Sequence, residues 1–281
     1  MKKIILFFIL STYVCIAKIG TPTAKSVLDE MLAAIKNLNT ISYKLHTKER
    51  VANKYLSINS EIKINTKPRK IYLKNPSKKL EVLYCEGENN NEALVNPGKF
   101  PFITLKFNPN HNLMRNNKHH SIHDLGFQFI AQMIEESIPA NPKLFDKTFL
   151  YMGIIEWDGK QCYKIYCEFK DFKYVKYTVT TTTENVISIA KKFNCGDYRI
   201  IANNDGLSYT NYITKGTVLK VPNMYAAKTI IYIDVESKIP VNIKLYDDEG
   251  IFEVYEFTDI KINRGFAKNE FTKDFAGYGF K

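Results

Sequence analysis

Ile41-Ser42-Tyr43-Lys44-Leu45-His46-Thr47 and, past a polar turn around Ala52-Asn53, Ile58-Asn59-Ser60-Glu61-Ile62-Lys63-Ile64 are the stretches that decide the fold. Ile41, Tyr43, Leu45 and Thr47 alternate with polar partners, and Ile58, Ser60, Ile62 and Ile64 do the same. Successive strand residues point to opposite faces, so this period of two predicts a pair of half-buried β-strands. Moving outward, shorter strands are expected at 70–73, 80–85, 92–95 and 103–107, punctuated by Pro68, Asn75-Pro76, Glu86 to Asn91 and Pro97-Gly98. Short strands at regular spacing with turn residues between them indicate an antiparallel meander.

Helices flank this meander. Val27, Leu28, Met31, Leu32, Ile35 and Leu38 follow the i, i+3, i+4, i+7 rhythm over 26–38. A second helix is expected over 121–137, with Leu125, Phe129, Ile130, Met133 and Ile134 on one face and Pro139 as the stop. Strands resume at 149–157, where Asp158-Gly159 signals a hairpin into 161–169, and again at 229–234, 241–246 and 251–262. The fold class is α+β: a large antiparallel sheet with helices on one face.

Residues 177–222 have a different pattern. Val186, Ile189, Ala190 and Phe193 make one short helical face, with the Thr180 to Thr183 run placed to cap it. Asp197 is placed to cap a second helix through Ile200, Ile201 and Asn203. Strand-type residues stand on either side, at 177–179 and 218–222. Strand, helix, helix, strand in so short a span is a small self-contained unit.

The chain begins with Met1-Lys2-Lys3 and an apolar run from Ile4 to Leu10, followed by Val14-Cys15-Ile16-Ala17. That run is too short to span a bilayer, and it fits a signal peptide of residues 1–17 cut after Ala17. Lipidation at Cys15 is the alternative. Loss of Lys2 and Lys3 lowers the formal net charge from +11 to +9. A basic balance favours anionic surroundings, although the lysines are scattered and form no nucleic-acid stripe. The expectation is an exported protein of the periplasm or cell envelope that is not an integral membrane protein and has no nucleic-acid partner.

Cys85, Cys162, Cys167 and Cys195 remain after that cut. Their spacing is neither a metal pair nor a disulfide framework. An odd spacing puts Cys162 and Cys167 on opposite faces of one strand. Four buried free thiols are expected, with a bridge from Cys85 to one of them as the alternative.

The unit at 177–222 resembles a LysM domain, a peptidoglycan- and chitin-binding module. The resemblance rests on Tyr177, Val179, Ile189-Ala190, Phe193, Ile200, Asn204, Leu207, Ile213, Gly216, Leu219, Val221 and Pro222. It departs from the family where Thr181-Thr182-Thr183-Glu184 replaces the usual Gly-Asp-Thr loop. The resemblance implies a groove for N-acetylglucosamine built from Thr181, Thr182, Thr183 and Glu184 on one loop, with Asp205, Gly206, Leu207, Ser208 and Ile213 opposite.

Residues 24–175 and 228–281 are similar to a bacterial exported family, through Glu81-Val82-Leu83-Tyr84, Pro101 to Pro109, Met114-Arg115, His119-His120 and Gly126-Phe127. The tail Asp234-Val235-Glu236-Ser237-Lys238-Ile239-Pro240, with Tyr246-Asp247 and Gly250, looks like the paired strands of LolA-type lipoprotein carriers. That likeness implies a curved half-barrel sheet whose concave face holds acyl chains.

His111, His119, His120 and His123 suggest a metal, His120 and His123 sharing it if a helix starts there. They match no metalloprotease pattern, and a polar loop at the mouth of the sheet is the preferred reading. Glu49, Glu61, Glu81, Glu86 and Glu88 read as exposed strand faces. Tyr55, Tyr72, Tyr84, Phe102, Phe107, Tyr163, Phe169, Tyr232, Tyr246, Phe252, Tyr255 and Phe257 lie in predicted strands, as core or as the lining of a concavity. The functional expectation is a non-catalytic envelope protein that binds peptidoglycan or another N-acetylglucosamine glycan and needs no cofactor or metal. A carrier or receptor for lipid or lipoprotein acyl chains is the first alternative and a His-rich metal-dependent hydrolase the second.

Overall fold

The computed structural model describes residues 21–281 apart from 101 and 140, so the signal-peptide reading of 1–17 lies outside the described residues. The two alternating stretches form β1 (Thr40–Val51) and β2 (Lys54–Asn65). Their inward residues lie opposite one another: Ile41 with Ile64, Tyr43 with Ile62, Leu45 with Ser60, Thr47 with Ile58. Ala52 and Asn53 both take positive φ, which matches the right-handed twist of a two-residue hairpin.

The meander continues through β3 (Lys70–Asn75), β4 (Leu80–Cys85) and β5 (Ala93–Asn96) to the edge strand β6 (Leu105–Phe107). On the other flank of β1 come β13 (Gly250–Ile262), β12 (Pro240–Asp247), β11 (Lys228–Asp234), β8 (Lys160–Glu168) and the edge strand β7 (Phe149–Trp157). These eleven strands form one antiparallel sheet that is open between β6 and β7.

Helices cover one face. α1 (Ala24–Lys36) is capped by Thr23 and buries Val27, Leu28, Met31 and Ile35 on that face. α3 (Phe127–Ser137) starts later than the sequence pattern suggests, because Gly126 adopts φ +94° immediately before it. A side chain at 126 would also meet Ile64 Cδ1 at 3.0 Å, so the tight approach to the sheet selects glycine there. His120 therefore lies outside any helix, and His123 sits in a single 3-10 turn, Ile122–Asp124, so the two do not share a helical face. Two short helices, α2 (Asn112–Arg115) and α4 (Pro142–Thr148), occupy segments where the sequence pattern predicts no helix.

The opposite face is covered in part by the C-terminal tail. Phe271 packs with Tyr72, Leu83, Cys85 and Leu94, and Tyr278 stacks on Tyr72 at 3.8 Å between ring centroids. Both faces of β4 are thus buried, which explains its near-continuous apolar run. All four cysteines beyond residue 20 are free and buried, with Cys167 in the main core.

Between β8 and β11 the chain forms β9 (Tyr174–Thr178), α5 (Val186–Phe193), α6 (Asp197–Asn203) and β10 (Val218–Pro222). β9 and β10 pair only with each other, and Val179, Val186, Ile189, Ile200, Leu219 and Val221 belong to a core of their own. The cap of α5 is Asn185, which accepts from the Ser188 N–H, and not the threonine run. Asp197 is the first residue of α6, after a Gly196 cap.

Candidate functional site

Leu45, Val82, Phe149, Ile231, Ile243 and Phe257 come from six strands spread over nine of the eleven in the sheet, yet they line one cavity of about 430 Å³. Val82 on β4 and Phe149 on β7 are eight strand positions apart, roughly 38 Å in a flat sheet. A single cavity that touches both requires the sheet to curl around it. α3 closes the top with Phe129, Ile130, Met133 and Ile134, and the segments 114–126 and 223–226 complete the wall.

Of the strand aromatics, Phe169, Tyr255 and Phe257 line this cavity. Tyr72 faces the tail on the other side of the sheet, while Tyr55 and Phe102 are exposed. The remaining lining combines aliphatic side chains, among them Leu45, Val82, Ile231 and Ile243, with polar ones.

One wall is polar and densely bonded. His119 is 2% exposed, its ring held between Tyr198 at 4.1 Å and Phe252 at 4.3 Å. Its Nδ1 bonds Glu253 Oε1 at 2.7 Å and its Nε2 bonds the Arg50 carbonyl at 2.9 Å, while its backbone N–H donates to Glu49 Oε2 at 3.0 Å. Tyr255 donates to Glu49, and Tyr225 donates to Glu253. His120 Nε2 lies 3.0 Å from the Tyr225 hydroxyl and 3.5 Å from Glu253 Oε1.

This wall is strongly polarised. Burial disfavours a charged His120, but Glu253 and Asp124 outweigh it and hold the imidazolium pKa well above its ordinary value. Burial would likewise raise Glu253, yet His120 and His119 keep it well below the usual carboxylate range. Burial pushes the Tyr225 and Tyr255 phenols well up, so both remain neutral donors.

The histidines are expected on a polar loop at the mouth of the sheet; His119 and His120 do lie on a loop at the cavity wall, drawn inside by buried carboxylates. His111 lies against Phe107 and His123 meets Tyr84 edge-on, so the four imidazoles do not converge. Among the described residues no group of three or more His, Cys, Asp or Glu side chains is arranged to hold a metal. Glu49 and Glu81 are buried, contrary to the exposed-face expectation. Glu81 accepts from Tyr72 and Asn96 beneath the tail.

The network also fastens the 174–222 segment to the cavity. Arg115, in α2, makes a two-pronged pair with Asp197 at the start of α6, at 2.7 and 3.1 Å, and stacks on Tyr209 at 3.9 Å. Asn194 and Asn223 to Ala226 contribute to the cavity wall itself.

Thr181, Thr182 and Thr183 are exposed on the turn before α5. The Glu184 carboxylate is taken up locally, accepting from the Tyr177 hydroxyl at 2.5 Å and the Thr180 N–H at 2.7 Å. The Glu184 carbonyl accepts from the Ile213 N–H at 2.8 Å, which brings the first loop to the second. Ile213 is buried in the small core and Leu207 packs against it; Asp205 and Gly206 are exposed and Ser208 is half-buried.

The fold and site together define a curled antiparallel sheet with helices closing an apolar cavity. The chain belongs to the family described as "Protein of unknown function (DUF1571)", which matches residues 39–187 and 190–280. That match runs through most of the 174–222 segment as well as the sheet. No curated protein matches the chain. Among solved structures, a DUF1329 family protein from Desulfovibrio piger is 11% identical, covering 89% of this chain and 98% of its own, with a TM-score of 0.34. A putative outer membrane lipoprotein-sorting protein domain from Vibrio parahaemolyticus is 10% identical, covering 89% and 97%, with a TM-score of 0.34. The lipoprotein LppX of Mycobacterium tuberculosis is 12% identical, covering 87% and 97%, with a TM-score of 0.35. Likenesses at that level leave function to be argued from this chain's own geometry.

Proposed function

We propose that this protein is a non-catalytic, exported carrier or receptor that holds the alkyl chain of a lipid or of a lipoprotein in its cavity. The carrying observation is the cavity itself: about 430 Å³, walled in large part by aliphatic and aromatic side chains from β1 to β4, β7, β11 to β13 and α3. That volume lies in the range of small-molecule sites, roughly 300–1,000 Å³, and burying an alkyl chain there is favourable by about 25 cal/mol per Å² removed from water. The neighbouring histidines and carboxylates are engaged with one another, which supports a binding role over a catalytic one. No described helix is long and apolar enough to cross a membrane.

The test is titration with a fluorescent alkyl probe. One saturable site is expected in the unaltered protein and none in Thr229→Trp, which fills the cavity from β11 while far-ultraviolet circular dichroism stays unchanged. Equal binding by both proteins would refute the cavity as the site.

A LysM-like glycan site at 177–222 has one observation in its favour, the exposed hydroxyl run Thr181 to Thr183. Against it, Glu184 is already bonded and Leu207 and Ile213 serve the small core. Retention on insoluble peptidoglycan that drops on replacing all three threonines by alanine would support this reading, and unchanged retention would end it.

A further inference from the structure

We propose that the cavity selects an anionic amphiphile, its carboxylate or phosphate head held by Lys118 and Lys78. The inference rests on the cavity reading above and adds the chemistry of the head group. It begins with the charges on the cavity wall, where Glu49, Asp124, Glu136 and Glu253 stand beside Lys78, Lys118 and His120.

All four carboxylates are engaged. Glu49 accepts from the His119 N–H and the Tyr255 hydroxyl, and Glu253 from Tyr225 and His119. Asp124 accepts from the Ser121 N–H at 2.8 Å, and Glu136 from Gln132 at 2.7 Å. His120 is held by Glu253 and Asp124. The two lysines differ. The lysine ion pairs of the described residues involve other positions, and among the described residues no carboxylate lies within 4 Å of the Lys78 or Lys118 ammonium.

Lys118 is also poorly solvated. It sits half-buried on the cavity wall, three residues beyond the buried Arg115, and burial lowers its ammonium pKa, with Lys78 and Arg115 acting in the same direction against Glu49. A cation withdrawn from water without a partner is costly, and a charge-assisted bond to an anion repays that cost better than a neutral head group can. Lys78 stands exposed on the turn from β3 to β4, beside the cavity residues Asn75 and Leu80. The two lysines thus share the wall of a cavity that also offers apolar side chains from the sheet and α3, and they act on each other's charge, the arrangement that suits an alkyl chain with a negative head.

The experiment compares three single-chain probes on the whole protein: palmitate, lysophosphatidate with the same chain, and neutral glycerol monopalmitate. Both anionic probes should bind at least about tenfold more tightly than the neutral one. Lys118→Gln should bring them down to the neutral level and leave glycerol monopalmitate unchanged, whereas Lys118→Arg should retain most of the preference. The tighter of the two anions identifies the head as carboxylate or phosphate. Equal affinity for charged and neutral probes, or a loss in Lys118→Gln that is the same for all three, overturns the head-group assignment while leaving the cavity reading intact. Failure of all three probes to bind overturns both.

Discussion

Glu49 and Glu253 stand directly opposite each other on the β1–β13 ladder, two buried carboxylates at one step of the sheet. Like charges so placed repel, and here His119 lies between them, giving its N–H to Glu49 and its ring to Glu253. Both His119 ring nitrogens lie within hydrogen-bond distance of an oxygen, Glu253 Oε1 on one side and the Arg50 carbonyl on the other. The 116–124 segment is thereby pinned to the sheet, and the polar wall of the cavity is fixed by hydrogen bonds and ion pairs together with aromatic packing.

Removing one member of this cluster should expose its cost. Glu253→Gln leaves His119 and His120 without their shared carboxylate, and breaking a buried pair from one side costs about 3–5 kcal/mol. Urea unfolding is expected to show a loss of that order without a change in the slope of the transition. A loss below about 1 kcal/mol would mean that the pairs are not formed.

The pH profile should carry the same signature. The Glu253 pKa lies below its ordinary 4.5, so its contribution to stability is full above 4.5 and is lost as pH falls through the depressed value. The His120 pKa lies above its ordinary 6.5, so its contribution is full below 6.5 and is lost as pH rises through the raised value. Stability should therefore be greatest between pH 4.5 and 6.5 and decline above it, by up to about 1.4 kcal/mol per unit for one proton. His120→Gln should flatten the decline above 6.5 in thermal melts recorded across that range.

Much of the sheet was legible because the inward positions of β1 and β2 keep strict parity, and a one-residue slip would turn every apolar side chain to the other face. The same parity held a signal that was passed over. Glu49 continues the series Ile41, Tyr43, Leu45, Thr47, and Glu253 shares parity with the cavity residues Tyr255 and Phe257. What no local pattern contains is the pairing of β1 with β13 across some two hundred residues, which brings Glu49, His119 and Glu253 together. The helix of 121–137 was read too early because apolar spacing gives no sign of the Gly126 conformation, which depends on the closeness of Ile64. The second apolar face of β4 needed the tail, whose Phe271 and Tyr278 lie far away in sequence.

Arg115 is expected to hold α6 against the cavity segment. Arg115→Ala leaves Asp197 unpaired and Tyr209 uncovered, and should destabilise the docked segment by about 3 kcal/mol. Hydrogen exchange should speed up across 197–203 and 116–124 while β1 and β2 keep their protection. Unchanged exchange in α6 would show that the pair contributes nothing to docking.

The thiols offer a check on packing. Burial pushes Cys85 and Cys162 up to about 11 and Cys195 to about 12, and it raises Cys167 further. Thiolate is the reactive form, so none of the four should react with a disulfide reagent in the native protein at pH 8, and all four should react in guanidinium chloride. Fast labelling of Cys85 alone would mean that the tail carrying Phe271 does not cover β4.

Occupancy of the cavity by an alkyl chain is read most directly by mass spectrometry of lipid extracted from the protein purified from its own cells without detergent. An alkyl-chain amphiphile approaching one per chain is expected in the unaltered protein, and its loss from Thr229→Trp. An extract without alkyl compounds, together with no uptake of palmitate from loaded vesicles, would contradict it.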